Sequence, residues 1–171
     1  AMGVDDASRE QYLYHDQGHR AKREEEQERV LELARLLPAF RKEVARQLSA
    51  RGTGRERVLA GALRILGLGV FRTGGEEYAR SNVSVATLQR DHVRLCREQI
   101  RFRHVARGGA LREVVIADAA LAALVRSLRR ARPGTERLLA YRTGSGWREV
   151  QSENVDERYR ELTGAKTDRR R

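Results

Sequence analysis

The spacing of apolar residues changes twice along this chain, and that change limits the possible folds more than any other feature. From residue 23 to residue 66 apolar residues recur every three or four positions, which is the spacing of helices that bury one face. Between 92 and 116 they alternate with polar residues in short runs, as in half-buried strands. Helical spacing returns after Asp118 and again after Ser152. The sequence therefore predicts an α+β fold that is mostly helical, with about five to six helices and a small three-stranded antiparallel sheet.

The alternating region divides into three strands joined by tight turns. They are HVRL at 92–95, IRFRHV at 100–105 and LREVVI at 111–116. In the second strand Ile100, Phe102 and His104 share one face, because successive side chains point to opposite sides of a sheet. Arg101 and Arg103 lie on the other face. We therefore expect one apolar face that packs on the helices and one basic face.

Four residues mark predicted helix ends. Pro38 is expected to end one helix and to begin the next in its first turn, where a missing N–H costs nothing. Thr53, Asp118 and Ser152 each stand just before a helical pattern and are expected to cap it with a side-chain oxygen. The stretch LLAYR at 138–142 predicts one more short strand.

The net charge of +11 points to a polyanionic partner. Of the 35 basic residues 32 are arginines, whose planar guanidinium matches two phosphate oxygens at once. Part of this arginine bias is also what GC-rich coding would produce. Duplex DNA is the favoured partner, since each neutralised phosphate releases counterions. An anionic membrane is the alternative, but no long basic amphipathic helix stands out, and we expect no membrane partner.

Cysteine and histidine usage predicts neither a disulfide nor a metal site. Cys96 is the single cysteine, and the four histidines show no metal-ligand spacing. We therefore expect no metal and no other cofactor. No apolar run approaches 18 residues and no signal-peptide pattern is present, so the prediction is a cytoplasmic, nucleoid-associated bacterial protein that acts as a monomer.

Three segments are expected along the chain. Residues 1–20 form an N-terminal lead-in whose first residues, Ala-Met-Gly, are typical of a remnant of tag removal. Residues 21–163 form the single folded domain, and residues 164–171 form a basic tail without core-forming side chains.

Several motifs occur in a fixed order. Helical segments precede FRTGGEEYA at 71–79, and TLQRDHV at 87–93 leads into the three predicted strands with their Gly-rich turn. In this order the chain resembles, over 9–163, the catalytic domain of type IB DNA topoisomerases, in particular the small bacterial and poxvirus-like branch. There an Arg-x-Gly-Asn-Glu-x-Tyr stretch follows a helix and precedes a Thr-Leu segment and a β-hairpin. QYLYH at 11–15 and the helical stretch 28–48 resemble the start of that domain.

The resemblance implies transient cleavage and religation of one DNA strand without metal or ATP. A tyrosine attacks a phosphodiester and retains the 3′ phosphate, the 5′ hydroxyl leaves, and reversal reseals the strand. Charge builds on the non-bridging phosphate oxygens, so fixed cations are needed there. The leaving oxygen needs a proton donor.

The resemblance also assigns candidate residues. Arg72 is expected to supply the first cation, although an arginine at this place can also simply end a helix. Arg107 occupies the position of the family's general-acid lysine, and Arg169 is the candidate for its second catalytic arginine. The predicted DNA contacts are Gly74, Gly75, Tyr78, Thr87, Arg90, His92, Arg101, Arg103 and Arg112.

Three departures from the family pattern weaken the catalytic prediction. An arginine at 107 can hold a phosphate but hardly donates a proton near neutral pH, since the pKa of a guanidinium lies far above that range. The loop before Thr87 is shorter than usual, and Gly75 replaces the family's asparagine. None of the five tyrosines lies where the family has its nucleophile.

Three hypotheses follow for function. The chain is a catalytic-domain fragment or degenerate homologue that binds duplex DNA without cutting it, or part of an active topoisomerase that a further C-terminal segment completes. The third is a protein-interaction or regulatory homologue. The related tyrosine recombinases share the chemistry, but the stretch around Arg72 is more similar to the topoisomerase version.

Overall fold

A computed structural model describes residues 27–28, 31–32, 34–71, 83–106, 109–131 and 133–164. The chain divides into two compact units, 1–39 and 40–171. In the first unit the described residues are helical and exposed, and Leu31, Leu36 and Leu37 are among the exposed large apolar side chains.

The second unit contains four helices within the described residues. Residues 34–48 are helical, and the part of this helix that belongs to the second unit, residues 40–48, is called α1. The other three helices are α2 (Arg55–Gly67), α3 (Ala119–Ala131) and α4 (Ser152–Thr163). The predicted break at Pro38 is wrong, because residues on both sides of it are helical. A proline removes one hydrogen bond and can bend a helix without ending it.

The predicted three-stranded antiparallel sheet is confirmed. Its strands are β1 (Val93–Cys96), β2 (Gln99–Val105) and β3 (Leu111–Ala117), in the order β1-β2-β3. A second sheet pairs β4 (Ala140–Thr143) with β5 (Gly146–Glu149). The sequence predicted β4 alone, because Trp147 is the one apolar side chain of β5. The described residues are therefore α+β, with four helices where five or six were predicted.

Helix α2 is the centre of the core of the second unit. It contacts α3, α4 and β4, and eight of its residues are buried. Gly61 lies where α2 meets α3, since a Cβ at this position would clash with Cδ2 of Leu124 and would lie 3.7 Å from Cδ1 of Leu121. A side chain at position 61 therefore requires Leu124 to move.

Of the three predicted caps, the structure confirms one. Asp118 Oδ1 accepts a hydrogen bond of 2.9 Å from the amide of Leu121 at the start of α3. The cap of α2 is Gly54, which makes no side-chain cap bond, while the carbonyl of Thr53 accepts from the amide of Arg142. Helix α4 is capped by Gln151, whose backbone amide donates to Oδ1 of Asn154 at 3.0 Å, so Ser152 is the first helical residue. The predictions for Thr53 and Ser152 are wrong, because a neighbouring residue takes the non-helical backbone position that a cap requires.

Arg57 is a buried charged side chain in the core of the second unit. It is 7% exposed and donates to the carbonyl oxygens of Leu48 at 3.0 Å and Gly52 at 2.7 Å. It also contacts Ser127 Oγ on α3 at 3.4 Å. Its burial lowers the pKa of the guanidinium. Arg57 therefore ties the end of α1 and the loop after it to the first turn of α2.

Among the described helices, none combines the length and the apolar content that a membrane span needs.

Candidate nucleic-acid interface

Half of the twelve predicted site residues fall within the described part of the chain. Arg72, Gly74, Gly75, Tyr78, Arg107 and Arg169 lie outside the described residues. The structure places the other six, which are Thr87, Arg90, His92, Arg101, Arg103 and Arg112.

The register of the first sheet assigns ten residues to one exposed surface. Cross-strand partners share a face, so the pairs Arg94–Arg101, Cys96–Gln99, Arg101–Val115, Arg103–Glu113, Val105–Leu111 and Gln99–Ala117 define it. All ten residues are exposed. This surface is called the outer sheet face. The opposite face carries the buried Val93, Ile100, Phe102 and His104. The alternation predicted for β2 is confirmed.

Like charges lie directly opposite each other on the outer sheet face. Arg94 of β1 pairs with Arg101 of β2, and Arg103 follows two residues later. The single carboxylate among the ten residues is that of Glu113, whose Oε1 lies 3.6 Å from Nε of Arg101. Directly opposed like charges destabilise a sheet. An anion that contacts both guanidiniums removes this cost.

Arg90 makes its contacts with the protein itself. Its side chain donates to the carbonyls of Leu128 at 3.2 Å and Arg137 at 3.4 Å. Burial, and then the charge of Arg129, lower the pKa of Arg90. The guanidinium therefore satisfies a carbonyl in the last turn of α3, where helices leave carbonyls without intrahelical donors.

Thr87 is also engaged locally. Its Oγ1 accepts from the backbone amide of Ser84 at 2.8 Å, and its own amide donates back to the carbonyl of Ser84 at 3.2 Å. These reciprocal bonds close the turn that leads into β1, and they occupy the hydroxyl that the resemblance assigns to a phosphate.

His104 and its cross-strand partner Arg112 lie on the opposite face of the sheet, and His92, which precedes β1, lies near His104. Arg112 of β3 pairs with His104, and the rings of His92 and His104 lie 6.5 Å apart. His104 is 9% exposed and lies 5.0 Å from the ring of Phe71. Within the described residues, its Nδ1 has no hydrogen-bond partner. Arg101 and Arg103 thus lie together on the outer sheet face, while Arg112 lies on the opposite face and His92 lies near His104.

The buried imidazole makes the protein sensitive to acid. Burial first, then His92 and Arg112, lower the pKa of His104. The unfolded chain, with an ordinary histidine pKa of about 6.5, then binds the proton more tightly than the folded protein. The contribution of His104 to stability is complete above that value and falls as the pH drops below it.

When the pH is lowered from 7 to 5, we therefore expect the free energy of unfolding to fall less in His104→Phe than in the unsubstituted protein. Urea denaturation followed by circular dichroism at both pH values measures the difference. An equal loss in the two proteins would show that His104 does not titrate in this range on unfolding.

The sequence prediction missed Arg94. The two residues between β1 and β2, Arg97 and Glu98, set the register that places Arg94 opposite Arg101. Arg97 has a φ of 55°, a conformation that glycine or asparagine usually adopts in hairpin turns. Because neither residue type is present there, the sequence does not indicate a two-residue turn or its register.

No protein-family model matches the chain, and no curated protein matches it. The proposed function therefore rests on the geometry of the described residues and on the sequence motifs. In the same described part, no group of three or more His, Cys, Asp or Glu side chains could hold a metal ion.

Proposed function

We propose that this chain binds duplex DNA through its phosphates and that the outer sheet face is a contact surface. We also propose that it is the DNA-binding part of a protein similar to type IB topoisomerases. The observation that carries the binding proposal is the direct opposition of Arg94 and Arg101, with Arg103 beside them and Glu113 as the only carboxylate among the ten residues.

The charge of this face favours a polyanion over a single small ion. Three arginines against one glutamate leave an excess of two positive charges on an exposed three-stranded surface. Duplex DNA carries one negative charge for about every 1.7 Å of its axis, so it can neutralise several arginines at once. The net charge of +11 over the whole sequence supports the same partner.

The topoisomerase resemblance adds two further arginines to the proposed DNA contacts. The segment that joins β2 to β3 contains Arg107, which follows Arg101 and Arg103 along the chain. Arg72 comes directly after Phe71, which packs on Phe102 with ring centroids 5.3 Å apart. Both assignments come from the sequence motifs, and no strand cleavage is proposed for this chain.

Removing the three arginines of the outer sheet face should weaken DNA binding and flatten its salt dependence. We expect Arg94→Gln, Arg101→Gln and Arg103→Gln together to lower affinity about ten- to a hundredfold near 0.1 M salt. The slope of log K against log salt concentration should fall by about 2 to 3, since each lost phosphate contact removes about 0.9. Fluorescence anisotropy with a labelled duplex of about 20 base pairs at several salt concentrations measures both quantities.

The matched control removes the same charge elsewhere in the second unit. Arg41→Gln, Arg129→Gln and Arg130→Gln change exposed arginines of α1 and α3. An equal loss in both triple variants would mean that net charge, and not the outer sheet face, drives binding. No binding by the natural chain at low salt would reject the proposal altogether.

A further inference from the structure

A cleft lined by four arginines lies between the end of α1 and the start of α2. Its volume is about 320 Å³, and Arg46, Arg51, Arg55 and Arg57 line it together with Gln47 and Glu56. Small-molecule sites have volumes of about 300 to 1,000 Å³. The cleft therefore has room for one compact ligand. None of its residues belongs to the outer sheet face.

Two of the four guanidiniums already have a carboxylate partner. Arg46 lies 2.6 Å from Glu43, and Arg55 lies 2.8 Å from Glu157. Arg57 donates to backbone carbonyls, and within the described residues no carboxylate lies in ion-pair range of Arg51 or Arg57. Glu56 is the only acidic residue that lines the cleft. An excess of positive charge remains to attract an anion.

The start of α2 adds backbone donors to the cleft. Its cap, Gly54, makes no side-chain hydrogen bond to the first turn. The amides of the first helical residues have no intrahelical acceptor, and the helix dipole places positive charge there. Because Gly54, Arg55, Glu56 and Arg57 all line the cleft, these donors add to the attraction for an anion.

Gln47 offers a hydrogen-bond acceptor for a hydroxyl group of the ligand. Its side chain is 4% exposed, and its Nε2 donates to Oε1 of Glu43 at 2.7 Å. The hydrogen bonds from Arg46 and Gln47 lower the pKa of Glu43 to about 2, so this carboxylate remains ionised and holds the amide in that orientation. The other amide atom, Oε1, has no hydrogen-bond donor within the described residues. A buried acceptor without a donor costs free energy, and a ligand hydroxyl removes that cost.

We propose that this cleft binds a sugar phosphate. Arg51 and the first amides of α2 hold the phosphate group, and a sugar hydroxyl donates to Oε1 of Gln47. In the free protein Oε1 is shielded from solvent, so the contact requires a small movement of the cleft wall. Arg51 lines the cleft, and its side chain is exposed and has the freedom for such a movement. This binding is independent of the DNA contact proposed for the outer sheet face.

Isothermal titration calorimetry with ribose 5-phosphate at pH 7.5 tests the proposal. The variants are Arg51→Gln, which removes the phosphate contact, and Gln47→Leu, which removes the hydroxyl acceptor. Arg41→Gln, an exposed arginine of α1 outside the cleft, is the matched control for charge. Sulfate and methyl phosphate serve as anions without a sugar hydroxyl, and circular dichroism confirms that each variant is folded.

We expect ribose 5-phosphate to bind at least tenfold more tightly than sulfate or methyl phosphate. Arg51→Gln should weaken that binding at least fivefold, while Arg41→Gln leaves it within twofold. Gln47→Leu should abolish the preference for the sugar phosphate. Equal affinity for the three anions, an equal effect of the two arginine variants, or displacement of the sugar phosphate by duplex DNA would each overturn the proposal. Loss of DNA binding in the outer-face triple variant, with sugar-phosphate binding retained, separates this proposal from the DNA proposal.

Discussion

Gly61→Val is expected to lower the free energy of unfolding by about 3 kcal/mol, because it overpacks the contact between α2 and α3. The first atom of any side chain at this position would clash with Cδ2 of Leu124. Leu121 and Leu124 are both fully buried, and because protein interiors are close-packed, a shift of either side chain disturbs its neighbours. Valine adds two methyl groups to the same contact.

Urea denaturation followed by circular dichroism measures this loss. Gly67→Val is the matched control, since Gly67 also lies in α2 but a Cβ there meets nothing within 4 Å. We expect the control to change stability by less than about 0.5 kcal/mol. In the Gly61→Val background, Leu124→Ala should lower the free energy of unfolding by less than it does in the unsubstituted protein. The reason is that it removes Cδ2 of Leu124, the atom that clashes with the valine. If Gly61→Val and Gly67→Val were equally stable, the close approach of α2 to α3 would be wrong.

Arg57→Met should also lower stability strongly, by about 3 kcal/mol. Methionine fills much of the same volume but donates no hydrogen bonds, so the carbonyls of Leu48 and Gly52 lose the donor that Arg57 supplies. The contact with Ser127 on α3 is lost as well. Arg57→Lys should recover only part of the loss, because an ammonium group cannot reproduce the planar fork that reaches two carbonyls.

The neighbouring Arg55 provides the control for Arg57. It is also in the first turn of α2, but it forms an exposed ion pair with Glu157. Exposed ion pairs contribute little, so Arg55→Met should lose less than a third of what Arg57→Met loses in the same urea titration. Similar losses for the two variants would show that Arg57 acts through its charge and not through its two carbonyl contacts.

The parts of the fold that the sequence predicts well are those where burial repeats with a regular period. In α3 the residues Leu121, Leu124, Val125 and Leu128 are all fully buried, as their spacing indicates. The alternation in β2 likewise places Phe102 inside and Arg103 outside. Helix ends are harder to predict, because Thr53 and Gly54, or Gln151 and Ser152, compete within one residue and backbone angles decide between them.

The candidate interface was predicted only in part, for two physical reasons. Alternation identified Arg101 and Arg103, but the register that adds Arg94 depends on the turn at Arg97. Motif similarity proposed Thr87 and Arg90 as phosphate contacts, yet a motif does not show which groups a side chain already binds. The hydroxyl of Thr87 bonds to Ser84, and the guanidinium of Arg90 bonds to Leu128 and Arg137.

The burial of α2 on nearly every side has a consequence during synthesis on the ribosome. Helix α2 ends at Gly67, but α3, which covers Gly61, begins at Ala119, and α4 follows only at Ser152. At about 5 to 20 residues per second, the 51 residues from 68 to 118 take about 3 to 10 seconds to translate. During that interval α2 lacks the α3 and α4 residues that it contacts in the folded protein, so its apolar side chains are open to a chaperone once the helix has left the ribosome.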